Sequence, residues 1–546
     1  MGKSVCKFIF LFCAITLSNV GADHFPFEPP ENFILDPSLI KVRHPVTTKN
    51  VTAQLYFDQG LTLLYAFNHD ASYWSFLRAT QTDPDLAMGY WGMALALGQN
   101  INLDITNVRQ KKAFELAHKA LALTKNTSLA EKDYIQALAQ RYTDNDKPDL
   151  EKLAKAYYSA MGKIVEKYPD DVDASVLYSE SVLDLSPWKQ WTNDGKALPE
   201  TEAAVALLEK VLKRDPQHLG ANHYYIHIIE ASKHPEWALA SAERLRTMMP
   251  ASGHILHMPA HIYLLLGDYH LAAKSNEDAV AADRAYVAKY GMVGVYPMHY
   301  MTHNLYFLSR AYGMEGRYED AKHAATELSE MYVPHFSYMP SLEYYVTTPY
   351  FISLRFHAWD DVLTIPEPPK ELTVAHALWH FSRAYAFYNM ANTERGRHEQ
   401  NLFAEESALI PPNAEFGMNK AQKVLKIADL LLSARIAIIN NHTEDALKAY
   451  ENAVAEQDSM SYNEPPDWFF PIREAYGAYL LQLGKVKNAE EIFREDLNSH
   501  PRNGRSLFGL QESLKKQNRT HDLYWVSQEF DKAWFYSDTK LTIQSL

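Results

Sequence analysis

Residues 216–280 read PQHLGANHYYIHIIEASKHPEWALASAERLRTMMPASGHILHMPAHIYLLLGDYHLAAKSNEDAV, and residues 296–304 close the stretch with YPMHYMTHN. Pro216 and Pro250 lie 34 residues apart, each between two runs whose small and apolar residues recur at helical spacing. His234-Pro235 stands 33 residues before Gly267, and both mark the turn between two such runs. A period of this length built as helix, turn, helix describes an array of hairpins, each burying its apolar face against the next. The same stretch, from His218 to His303, holds ten of the chain's 23 histidines.

The period decides where those histidines point. Residues three, four and seven apart share one face of a helix. His223, His227 and Glu230 satisfy that spacing, and so do His254, His257 and His261. The repeat carries His223 onto His257 and His227 onto His261. His299 and His303 form a further i, i+4 pair, after an insertion of about fifteen residues relative to the period. Glu180, in ASVLYSESVLDL (174–185), falls opposite His227 when Pro169 is aligned with Pro216. Four neighbouring helices are therefore expected to aim imidazoles and carboxylates at one concavity.

Glu180, His223, His227, Glu230, His254, His257, His261, His299 and His303 are the candidate metal ligands. Imidazole with one or two carboxylates and no sulfur suits Zn, Fe, Cu(II), Ni or Mn. Pro259, inside His257-Met258-Pro259-Ala260-His261, removes a backbone hydrogen bond and bends the helix, which helps to aim both rings at one point. The ligand set exceeds the needs of one ion, which leaves room for two, and a spare glutamate could serve as base on a metal-bound water. The competing reading is a metal-free interaction scaffold whose histidine-lined groove holds a peptide. A third is a metalloenzyme. HExxH, GxSxG, the Walker A pattern and GxGxxG are all missing, so an enzyme here would work by metal-assisted hydrolysis or oxidation.

Gly267-Asp268-Tyr269 with Ala272, Gly316-Arg317-Tyr318 with Ala321, and more loosely Gly484 with Ala489, place Gly-x-Tyr and alanine at successive turns. With the 34-residue period and a proline ending the unit, this resembles the tetratricopeptide repeat. The resemblance implies an all-α solenoid and a binding scaffold, and it implies that the face carrying the histidines lines the inner wall. The wording HYYIH and GHILHMPAHIY is similar to that of a secreted subgroup with HxxxH-containing repeats; no activity follows from it.

Outward from this centre, residues 1–22 read as a secretory signal: Lys3 and Lys7, an apolar core from Phe8 to Leu17, and Val20-Gly21-Ala22 at the cleavage point. Both cysteines, Cys6 and Cys13, lie in it, so a mature chain has no thiol, disulfide or thiolate ligand. Export makes the expected location secreted or periplasmic, with no transmembrane segment after cleavage. Without Lys3 and Lys7 the chain carries a net charge of −16, which argues against nucleic acid. Glycosylation patterns stand at Asn50, Asn126, Asn441 and Asn518.

Residues 23–52 read as an extended arm, 53–183 as N-terminal helical repeats, and 184–201 as a Trp/Pro loop that closes one side of the concavity or packs on the solenoid. The histidine-rich repeats fill 202–331. Further repeats fill 332–460, a terminal unit 461–530, and 531–546 is a tail. The loop SYNEPPDWFFP (461–471) reads as loop packing rather than a lid. His376 and His380 are a further i, i+4 pair, assigned to packing because their helix carries no carboxylate on that face.

Overall fold

The computed structural model describes residues 25–546 except Asn193, and not the side chain of Tyr338; residues 1–22, expected to be a signal and holding both cysteines, lie outside the described residues. From Val51–Tyr65 to Thr520–Ala533 the chain is a succession of antiparallel helical hairpins. Strand is limited, among the described residues, to two isolated bridges and one two-residue hairpin, Glu415–Phe416 with Asn419–Lys420. The fold is an all-α solenoid of tetratricopeptide type.

Sequence chemistry sets the hairpins. Helices open on side chains that accept from the first free N–H groups: Asn50, Asn68, Thr106, Ser128, Asp149 and Asp171 all do so. Turns close where glycine enters the left-handed region, at Gly267 (φ 75°), Gly316 (φ 83°) and Gly484 (φ 74°). Gly267 and Gly316 are the glycines of the Gly-x-Tyr pattern, and Gly484 is its looser copy. Gly267 also has no room for a side chain, because a Cβ there would lie 2.0 Å from the carbonyl oxygen of Pro501.

Outer helices bury one stripe; Val486–Ser499 buries Ala489, Glu490, Phe493 and Asp496 only. The inner helix Leu219–Ile229 is buried at every one of its residues. The histidine-bearing face is therefore an interior rather than an open wall. Two apolar cores meet across it. One runs from Phe25 to Ile262 and takes in Tyr296 and Tyr300; the other starts at Ala260 and Tyr263 and continues to Leu546.

Three local features position the centre. The helix Gly253–His257 stops at Met258, and Pro259–Leu266 restarts it, so the proline divides His257 from His261. The insertion relative to the period is absorbed by the long helix Tyr269–Tyr290, a short link, and a π-helical turn, Tyr296–Met301, that runs into Thr302–Glu315. Trp188 (φ 62°) and Tyr462 come together at 6.4 Å between rings. Loop 186–198 thus meets loop 461–471 beside His227.

The arm at residues 25–50 is extended apart from Pro37–Leu39. It is fastened by Phe33 against Trp74 (5.2 Å) and by the Trp74 indole N–H donating to Pro26 O (2.6 Å). At the other end the tail folds back. Ser537 and Thr539 hydroxyls donate to Gly316 O, each at 2.9 Å, and Leu546 is buried. No described helix is long and apolar enough to cross a membrane.

Candidate metal centre

Two groups of three imidazoles form at the seam between the cores. His223, His227 and His254 each bring one nitrogen within 4.8 Å of the others, and His257, His261 and His303 do the same. Each group is an i, i+4 pair plus a third ring from a later helix of the chain, Gly253–His257 for the first and Thr302–Glu315 for the second. Five of the six rings are at most 2% exposed, and His303 is partly buried. Phe67 faces the first group, stacking on His227 (5.6 Å) and His254 (5.3 Å) and meeting His223 edge-on (4.5 Å). Phe307 faces the second, 4.5 Å from His257 and His261 and 4.8 Å from His303.

The hydrogen bonds fix the tautomers. His223 Nδ1 lies 2.6 Å from Tyr65 O, a carbonyl that can only accept, so the proton sits on Nδ1 and Nε2 is a bare lone pair. His227 Nδ1 lies 2.7 Å from Glu230 Oε1, and its buried Nε2 has no partner. His257 Nδ1 lies 2.7 Å from Asn276 Oδ1; the Asn276 amide donates to Ala272 O, so its oxygen must be the acceptor. His261 Nδ1 is 2.5 Å from Glu230 Oε2, bent away from good hydrogen-bond geometry, and a bare Nδ1 that close to a carboxylate oxygen would set lone pair against lone pair. Four rings thus carry Nδ1–H and turn Nε2 inward, the arrangement that outer partners impose on metal-binding histidines.

His257 Nε2 and His261 Nε2 are 2.9 Å apart. His257 has its proton committed on Nδ1 and His261 turns Nδ1 to Glu230, so the gap between the two Nε2 atoms takes a proton carried by His261 or a metal ion. His223 Nε2 and His254 Nε2 are 3.0 Å apart, but His254 Nδ1 is buried without a partner, so a proton on His254 Nε2 can fill that gap.

A proton is a poor cation here. Burial pushes His223, His254, His257 and His303 well below the ordinary histidine range, and neighbouring imidazoles push the same way. Burial also lowers His227, against the pull of Glu230. Glu230 is 1% exposed; burial would raise its carboxyl, yet His261 and His227 hold it down to about 2. It is a buried anion that receives a third contact from the Tyr462 hydroxyl at 3.2 Å. It therefore serves the rings as an acceptor and offers them no proton.

Three predicted residues take other positions. Glu230 sits behind His227 and His261, on their Nδ1 side. Glu180 is drawn away by Arg141, whose Nη2 lies 3.5 Å from it and also contacts Asp184. Burial raises Glu180 despite that guanidinium, and it raises Asp184 well above the carboxylate range with Glu180 adding to it. His299, on the π-helical turn, packs on Tyr300 with Nδ1 buried and unpartnered, and burial lowers it to about 4.

Other partners were not legible from spacing. Asn276, the Tyr65 carbonyl, Phe67 and Tyr462 come from distant segments; only Phe307, four residues after His303, continues a histidine face. His376 and His380 do have carboxylate partners, contrary to the reading of their helix alone. His376 contacts Glu406 (2.6 Å) and Glu367 (3.0 Å), and His380 contacts Glu399 (2.7 Å), all from outside that helix. His376, His380 and Glu406 form a third group, and a fourth, His44 with Asp171 and Asp173, joins the arm to the solenoid. There Asp173 contacts His44 (2.7 Å) and His218 (3.3 Å) and accepts from the Tyr65 hydroxyl (2.7 Å).

No protein-family model matches the chain, and no curated protein does. Among solved structures it is similar to the human IFIT1 dimer with m7Gppp-AAAA, at 11% identity over 95% of this chain and 98% of that one, TM-score 0.35. It is also similar to the APC/C hetero-tetramer Cut9-Hcn1, at 11% identity over 88% and 76%, TM-score 0.30. A third is Naa15/Naa10 bound to HypK-THB, at 12% identity over 89% and 84%, TM-score 0.25. None of these likenesses bears on the chemistry of the buried histidines, which has to be read from this chain's own side chains.

Proposed function

We propose that this helical scaffold is an exported metalloprotein whose buried imidazoles bind a transition metal of the zinc, copper or iron class. The observation that carries the reading is the His257–His261 contact: two Nε2 atoms 2.9 Å apart, with Nδ1 of His257 on Asn276 and Nδ1 of His261 facing Glu230. Metal–imidazole bonds of about 2.0–2.1 Å span such a gap. Burial holds His223, His227, His254, His257 and His303 below the ordinary histidine range, which favours the neutral form that binds metal. Burial disfavours the peptide-groove alternative at these residues, since a peptide could reach the rings only if loops 186–198 and 461–471 parted.

The test is unfolding with and without a chelator near neutral pH. A metal bound only by the folded chain adds about 2.7 kcal/mol at a free concentration one hundred times its dissociation constant. A chelator should therefore lower the midpoint of the wild type, do little to His257→Ala/His261→Ala, and keep its effect in His376→Ala/His380→Ala. Equal shifts in the wild type and the His257/His261 variant would sink the reading. Export is checked separately, by a mature N-terminus near Asp23 and the absence of thiol from secreted material.

A further inference from the structure

We infer that the cavity under loop 461–471 binds an apolar α-amino acid, its carboxylate on Arg310 and its ammonium on Glu464. The cavity is separate from the histidine groups, and the inference does not depend on their metal.

The cavity measures about 240 Å³. That is somewhat below the ~300–1,000 Å³ of drug-sized ligand sites and leaves room for one small molecule. Two histidine-bearing helices build one side of it. Leu264 follows His261 by three residues, and Arg310 follows His303 by seven. The loop and the residues before it build the other side, with Met460, Glu464 and Phe470. Asp458 and Ser461, both exposed, lie on its solvent side.

Charge left over marks this cavity as a site. Arg310 is 5% exposed. Its Nη1 donates to Phe469 O, while its Nε and Nη2 find no acceptor among the described residues, and no carboxylate there forms an ion pair with it. The buried Glu474 is already shared by Arg355 (2.8 Å) and Arg505 (2.7 Å). Buried arginine is seldom left without an anion, because an unpaired charge in the interior is costly. The other charged side chains of the lining are satisfied. Arg473 grips Asp458 through two bonds of 2.7 Å, His500 contacts Asp496 (2.9 Å), and Asp467 accepts from Asn419 (2.7 Å) and Asn463 (2.5 Å). Glu464 is the exception among the acids. It is half-buried, its carboxyl has no hydrogen bond among the described residues, and burial raises it to about 8 against the pull of Arg310.

A guanidinium and a carboxyl thus feel each other across one cavity without touching. A ligand carboxylate can take two parallel bonds from the free edge of Arg310. An ammonium beside it supplies the cation that Glu464 lacks. A plain anion would leave Glu464 without a cation, and a plain amine would leave Arg310 without an anion. Leu264, Met460 and Phe470 receive the apolar side chain.

The experiment is calorimetric titration of the full chain at neutral pH with L-leucine and L-phenylalanine, in chelator so that metal plays no part. The tighter of the two is then compared with its analogues lacking the amine (isocaproate or hydrocinnamate) or the carboxylate (isoamylamine or phenethylamine). One molecule of amino acid should bind per chain, and each analogue should bind at least about tenfold more weakly. Arg310→Gln should abolish binding of the amino acid. Glu464→Gln should weaken the amino acid at least about tenfold and leave the analogue without the amine unchanged. Binding of neither amino acid overturns the inference. So does an analogue without the amine that binds as tightly as its parent, which would make the cavity a simple anion site, and so does wild-type affinity in Arg310→Gln. If Arg310→Gln does not fold, the analogue series on the wild type and Glu464→Gln still decide.

Discussion

Replacing Glu230 by glutamine tests the centre with almost no change of shape. The carboxylate is buried and ionised, held down to about 2 against an ordinary value of 4.5. A depressed carboxyl contributes stability that is fully present above its unfolded value and is lost as pH falls through the folded one. The difference amounts to about 3 kcal/mol at neutral pH. Glu230→Gln should therefore lower the metal-free unfolding free energy at pH 7 by about that amount, and the gap to wild type should close between pH 4.5 and 2. Metal affinity should fall too. The amide oxygen can accept from one imidazole, but its NH2 group then faces the Nδ1–H of the other, donor against donor. That ring must move its proton to Nε2, which removes a ligand lone pair. Loss of such an outer partner typically costs 10–100-fold in affinity. Denaturant unfolding in chelator measures the first effect and metal titration the second. Glu180→Gln is the control, since Arg141 holds that carboxylate away from the rings and its loss should leave metal affinity unchanged. A Glu230→Gln chain within about 0.5 kcal/mol of wild type at pH 7, the range of an ordinary surface change, would refute the assignment.

Phe67→Ala should cost about 3–5 kcal/mol by denaturant midpoint, because it empties space against three histidine rings of the first set. Gly267→Ala should lower the thermal midpoint more than Gly484→Ala: both positions have left-handed φ, but only Gly267 would drive its Cβ into the Pro501 carbonyl, while Gly484 has open space. His376 is raised by Glu406 and Glu367 against the lowering effect of burial, so its contribution is full below the ordinary histidine value and is lost as pH rises through the raised one. Glu406→Gln should accordingly be destabilised relative to wild type at pH 6, with the difference shrinking on the alkaline side of neutrality in pH-resolved melts.

The hairpins were legible because glycine, proline and alanine recur in phase with the helices, and each acts locally. Gly267 and Gly316 mark left-handed turns whatever surrounds them, and Pro259 breaks its helix through its own ring and missing N–H. The i, i+4 pairs were legible for the same reason. The partition into two sets was not, because it depends on tilt between neighbouring helices: the period pairs His223 with His257, yet His254, one turn earlier, is the ring that reaches His223. Glu180 was misplaced by the same limit. Its helix phase fitted the histidines, but Arg141, 39 residues upstream, offers a buried guanidinium that no spacing rule foresees. Glu230 was found on the right face in a different role, because only three-dimensional structure shows that its oxygens meet Nδ1 rather than the inward nitrogens.

The burial of the centre also follows from the way repeats stack. A solenoid of identical hairpins leaves its inner wall open to solvent, and imidazoles on such a wall would titrate near their ordinary value and exchange metal with bulk water. Here the insertion after Tyr269–Tyr290 carries His303 and Phe307 inward, and loops 186–198 and 461–471 bring Trp188 and Tyr462 over the rings. Each departure from the repeat adds a wall to the same small space. Dryness lowers His223, His227, His254, His257 and His303, which weakens competition from protons, and it strengthens the hold of Glu230 on Nδ1. It also makes the inward lone pairs expensive to leave without a cation. A chain selected only to present a peptide groove would have no use for any of these walls. Trp188→Ala therefore separates the two uses of the fold. It removes a ring lying 5.8 Å from His227 and touching none of the hydrogen bonds that set the tautomers. Metal should load and leave faster, while the number of ions bound at saturation stays that of the wild type.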